Sequence, residues 1–459
     1  GGEVKRAIWK GRLSKATAAA LSVIMTTTLC LPVTAWAEDG VAPATDAGQV
    51  DGAPDSGVGD GSVASIDGTG YATVKEAINA ASDGATIKLV ADVEEKDIEV
   101  PAGKSVTLDL AGHTLTSKNS IEVSGNLTLD DSTATGQPTV SSDYETVTYE
   151  AGKIVNANTI TKGENAVTIV VKGGGAFTQN AGTIESQKNY TIGIYGNNAA
   201  GATDPINTSV YIKGGYQVGP EGGPMVAGKG ALLEVSGGVI VGTDNAPVAG
   251  NGTVDSAEDD GGTTINISGG TLIGHIKSSG YIALGIYHPQ AGTLNITGGT
   301  IYADGGAGIV MRAGELNMTG GEVIATGTAE GKAGDGSAMV PCAGIYYDLA
   351  TNYPGAKDGA NRLAVSGDAK VSCDASVAPV QATTPADGVE FTPAVSGGTF
   401  SGGFDDSLLS DGFELTKNED GSYGVTAPSP VAEVNGASYP TLQAAVDAEM
   451  AQRLSCLPM

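Results

Sequence analysis

The chain has 459 residues, with 24 Lys and Arg against 52 Asp and Glu (net charge −28), and 70 glycines beside 2 Trp, 15 Tyr and 5 Phe. An acidic surface of this strength repels phosphate backbones and anionic headgroups, which argues against nucleic acid and anionic membranes as partners. Glycine at this level without a three-residue period excludes collagen, and alternating aliphatics along most of the chain exclude wholesale disorder.

Residues 1–37 read as a secretory signal peptide. Lys5, Arg6, Lys10, Arg12 and Lys15 form a basic start, Ala16–Leu31 an apolar core, and Ala35-Trp36-Ala37 a small-residue cleavage site. The apolar run is short for a membrane span, so the expectation is an exported chain, secreted or at the cell surface, with no membrane span after processing. Removing the signal leaves 19 basic against 51 acidic residues. Residues 38–62 are rich in Gly, Ala, Asp and Pro, have no apolar period, and read as a flexible linker.

The ordered region opens at residue 63. Val74, Ala77, Ile78 and Ala81 share one helical face, and Thr73 with Glu76 has the spacing of a capping box. Strands are predicted in ATIKLVADV (85–93) and SVTLDLAGHTLT (105–116), each alternating apolar and polar.

A motif then recurs: LEVSGGVI at 233–240, INISGGTL at 265–272, LNITGGTI at 294–301 and LNMTGGEV at 316–323, with looser copies at 210–218, 363–371 and 393–400. Each copy is a strand with one buried face, followed by a Gly-Gly turn. The glycine pairs are 22 to 23 residues apart at their closest, with longer intervals of 29, 30, 32 and 47. A base period near 22 with insertions fits stacked coils of a right-handed parallel β-helix, an all-β solenoid of about 10–12 coils rising roughly 4.8 Å per coil. A propeller blade needs about 40–45 residues, and the leucine and asparagine ladder of leucine-rich repeats is missing. The helix at 72–82 would plug the open end of the stack.

The run from GYATVKEAINAAS through DGATIKLVADV to VTLDLAGHTLT, together with the SGGTI-type repeats, resembles pectin-lyase-like right-handed parallel β-helix proteins of bacterial cell surfaces. The resemblance covers residues 63–427. It implies the fold strongly, whereas function ranges over lyases, hydrolases, adhesins and stalks.

A second repeated element is GIYG at 193–196, GIYH at 285–288, GIVM at 308–311 and GIYY at 344–347. Alternation sends Ile194, Ile286, Ile309 and Ile345 inward and places Tyr195, Tyr287 and Tyr346 on an outward face, with Arg312 and Asp348 two positions further along it. Such a face reads either as a glycan-binding strip or as a tyrosine ladder beside a surface ion pair. Asp255, Glu258, Asp259 and Asp260 form a weak calcium candidate that matches no EF-hand loop, with a solvated acidic insertion as the alternative. Cys342 and Cys373 would lie one coil apart, either as a disulfide or as two small buried side chains. The acid pairs Asp130-Asp131, Asp259-Asp260 and Asp405-Asp406 sit in turn-like contexts, so no catalytic residue and no cofactor is assigned. The triplets at Asn126, Asn266, Asn295 and Asn317 read as products of the repeat rather than glycosylation signals.

Residues 432–448 (AEVNGASYPTLQAAVDA) match 64–80 (ASIDGTGYATVKEAINA) position by position. Residues 428–459 therefore read as the start of a second β-helix cap, in a piece of a longer multi-domain chain. The expected role is a structural and adhesive surface module binding a polysaccharide or a host surface protein. A carbohydrate-active lyase or hydrolase is the alternative.

Overall fold

The computed structural model describes residues 61–455, except 159–162, 198–202, 253–260, 277–279, 334–338, 351–352, 428–429 and 440–441. The signal, nearly all of the linker, the calcium candidate and Cys456 lie outside the described residues.

The chain is a parallel β-helix. From Ala85 onward each coil gives one strand to each of three sheets, called here A, B and C in chain order. Among the described residues there are ten complete coils and an eleventh with strands in A and B only. The four clearest repeats lie side by side as expected. In sheet A, Leu233, Ile265, Leu294 and Leu316 are in register. In sheet B, Ile240, Leu272, Ile301 and Val323 are in register. Sheet C aligns Val248, Ile286, Ile309, Ile345 and Val380. These ladders fill the lumen and are essentially inaccessible.

The two glycines of each turn serve different ends. Gly299 has φ +85°, a conformation that strains any residue with a Cβ. Gly298 has no such φ, but a Cβ there would collide with the Ser268 carbonyl of the coil below. The first glycine thus permits coils to stack closely, and the second turns the chain.

The cap forms as read. Helix Val74–Ala80 buries Val74, Ala77 and Ile78, and Thr73 Oγ1 accepts a hydrogen bond from the Glu76 N–H. The next two free N–H groups, of Val74 and Lys75, donate to the Glu95 carboxylate, which comes from the first coil of sheet B. A void of only about 10 Å³ remains beneath the helix.

Insertions decorate the stack. Residues 131–152 leave the third coil as an arm containing the hairpin Thr139–Val140 with Val147–Thr148. Its Val140, Tyr144 and Val147 pack on the outer face of sheet B, against Val239, Val241, Ile273 and Tyr302. Residues 326–342 contain a second hairpin, and 348–361 a short helix, Pro354–Asp358. At the far end, strands Glu414–Lys417 and Tyr423–Thr426 continue sheet B antiparallel. Ala432–Val434 and Ala437–Tyr439 make a separate two-stranded sheet that contacts helix Leu442–Ser455.

Candidate functional site

The strip containing Tyr195, Tyr287 and Tyr346 is on the outer side of sheet C, but it is neither exposed nor a continuous ladder. Tyr195 pairs with Ala227, and Val310 separates Tyr287 from Tyr346. Tyr195 is half-buried, while Tyr287 and Tyr346 are each 8% accessible. Ala333 and Val340 of the 326–342 insertion complete an apolar cluster with both. Burial pushes the Tyr346 hydroxyl up to about 12, with the Asp348 charge adding to it.

Arg312 and Asp348 do pair, but the pair is buried rather than on the surface: 0% and 4% accessible. The Arg312 guanidinium lies 5.7 Å from the Tyr287 ring centre and 5.4 Å from that of Tyr353. The two tyrosine hydroxyls meet at 2.8 Å. Tyr353 heads the helix of the 348–361 insertion, so this loop is a lid over the ion pair. Asn361 secures that lid: its Oδ1 accepts from the Gly314 N–H, and its Nδ2 donates to the carbonyls of Ala356 and Glu390.

Cys342 and Cys373 are free thiols, and no bridge joins them. They donate to the carbonyls of Ala329 and Val377 respectively. Burial raises the pKa of both. Of the acid pairs, Asp259-Asp260 lies outside the described residues, and the other two contribute carboxylates to turns. Asp131 accepts from the N–H groups of Gly112, Gly152 and Thr133, and Asp405 caps the turn at Ser407.

Two arrangements appear that reading the sequence missed. On sheet A, strands alternate buried and half-exposed, and one outward column stays in register through Thr86, Thr107, Thr128, Thr178, Tyr211, Glu234, Asn266, Asn295 and Asn317. Asn317 Nδ2 donates to Asn295 Oδ1 at 3.1 Å, and Asn295 Nδ2 to Asn266 Oδ1 at 2.9 Å. The triplets at 266, 295 and 317 were the signal for this amide ladder.

On sheet B, the arm tip brings Tyr144 and Glu145 to Tyr302, His275 and Asp304. Tyr144 stacks on Tyr302 with ring centres 4.3 Å apart and planes 14° from parallel. His275 Nδ1 lies 3.6 Å from Asp304 Oδ2, and ligand atoms of Glu145, His275 and Asp304 all fall within 4.8 Å of one another. His275 and Asp304 each follow the second glycine of their turn by five residues, so register alone would place them together. Nothing in the sequence announces that Glu145, well over a hundred residues earlier, returns to them.

Compared with protein-family models, curated proteins and solved structures, the chain matches none. Function therefore has to be argued from the molecule itself.

Proposed function

We propose that the chain is an exported structural and adhesive module of a bacterial cell surface, presenting a rigid solenoid to polysaccharides or host proteins. A pectin-lyase-like ancestry and a bacterial source belong to this proposal. The observation that carries it is the division of labour among the faces. The lumen is filled by aliphatic ladders, parts of the outer faces of sheets B and C are covered by the chain's own insertions, and sheet A keeps a half-exposed polar column. That column repeats amides and hydroxyls at the strand spacing, with Tyr211 offering a ring, a pattern suited to an extended ligand with its own repeat.

Glycan-array binding of wild type against Tyr211→Ala and Asn295→Lys tests this. We expect a signal for the wild type that falls at least about tenfold in Asn295→Lys, because a charged head in the middle of the ladder removes the amide pairing on both sides. Equal signals in all three proteins would remove sheet A as the binding face. The carbohydrate-active alternative has one supporting observation, the approach of Glu145 and Asp304, which nears the roughly 5 Å carboxyl separation of retaining glycosidases. New reducing ends or unsaturated products from pectate, alginate or glycosaminoglycans would favour it.

A further inference from the structure

We propose that Glu145, His275 and Asp304 bind a divalent cation of the zinc class, and that the bound ion clips the arm 131–152 to sheet B. The three groups come from three separate places: the hairpin tip, the end of the seventh sheet-B strand and the end of the eighth. The Tyr144–Tyr302 stack beside them sets their approach, since each ring is next to or two residues from a ligand. The far end of the arm is held independently, by Gln137 Oε1 accepting from the Gly215 N–H and by Tyr149 Oη accepting from the Gly182 N–H.

The donor set selects the ion. One imidazole nitrogen and two carboxylate oxygens suit zinc and its neighbours, which bind such atoms at about 2.0–2.2 Å. Bonds of that length at tetrahedral angles put ligand atoms roughly 3.3–3.6 Å apart. His275 Nδ1 and Asp304 Oδ2, at 3.6 Å, already meet that condition. Glu145 is exposed, and rotation of its long side chain closes the remaining gap. Calcium would ask for six to eight oxygens, which three groups including an imidazole do not supply. Docking the arm also brings two carboxylates together, a repulsion that a dication turns into attraction. Three protein ligands leave a fourth position for water or for an oxygen from an outside molecule.

The test uses the full chain, stripped with EDTA and dialysed. Zinc chloride is titrated calorimetrically in excess calcium chloride, which occupies acidic insertions elsewhere. Hydrogen exchange of the 139–148 amides is followed with and without zinc. We expect one zinc per chain, slower exchange across the hairpin when zinc is bound, and about tenfold or greater weakening in both His275→Ala and Glu145→Gln. Glu145 is exposed, so its amide variant keeps the fold and keeps the test valid if His275→Ala does not. No saturable zinc uptake overturns the site. Uptake unchanged in both variants places the ion elsewhere and overturns it too. Uptake that needs His275 and Glu145 but leaves hairpin exchange unaltered overturns the clip.

Discussion

His288 shows what burial does to a single titratable side chain in this lumen. It is 0% accessible, and its Nδ1 lies 3.1 Å from the Ala313 carbonyl, to which the neutral ring donates. Burial disfavours the imidazolium and pulls the pKa down to about 4 from the ordinary 6.5. The consequence for stability has a definite sign. Below pH 6.5 the unfolded chain takes up a proton that the folded chain refuses, so stability falls as the pH drops from about 6.5 to about 4 and this contribution then levels off. The full effect is of order 3 kcal/mol. Urea unfolding at pH 7 and pH 4.5 checks it: wild type should lose more stability between the two than His288→Leu does. Equal losses would show that other groups carry the acid sensitivity. Alternation already places His288 on the inward side, two positions beyond Ile286 of GIYH, but the scattered histidines of the sequence do not announce that the stack seals this one from water.

At the scale of elements, the strands and turns were legible because the repeat carries its own physics: an alternating strand, a glycine that must turn, and a glycine that must let the next coil approach. The cap was legible for the same reason, since Thr73, Glu76 and the Val74–Ile78 face agree. What alternation could not supply is which outer faces stay wet. GIYH, GIVM and GIYY are apolar on both sides, the composition of a strand buried on two faces, and both faces of these strands are indeed covered. Reading Tyr287 and Tyr346 as exposed assumed a solvated exterior that the insertions remove. The Arg312–Asp348 pair changes meaning accordingly, from a surface bridge worth almost nothing to an enclosed charge pair. Arg312→Ala should cost about 3–5 kcal/mol by leaving Asp348 as an uncompensated charge, whereas Arg312→Met with Asp348→Leu should cost much less. Denaturant midpoints of the two variants measure this. A small loss in Arg312→Ala would mean that water reaches Asp348 through the lid.

For the molecule as a whole, a solenoid is nearly one-dimensional: each coil is stabilised by the coils on either side, and an element outside the stack contributes little to it. The C-terminal unit 431–455 puts that principle to use. It repeats the strand-turn-strand-helix order of the N-terminal cap, yet its apolar face is open. Val74 and Ile78 are 0% and 3% accessible, while Leu442 and Val446 at the matching positions are 71% and 43%, and Met450 is 57%. The difference has a direct cause. The N-terminal copy lies over coils that cover its helix, whereas among the described residues the C-terminal strands pair only with each other, and helix Leu442–Ser455 contacts that small sheet. Deleting 431–459 should therefore leave the urea midpoint of the solenoid unchanged to within about 0.5 kcal/mol, while lowering the binding of a hydrophobic dye and any concentration-dependent self-association, because the deletion removes several of the large apolar side chains most open to water. The two readouts separate the alternatives. If the midpoint falls with the deletion, the unit is a terminal plug that stabilises this stack. If the midpoint holds and dye binding falls, it is a cap whose apolar face is free to receive a coil of another β-helix.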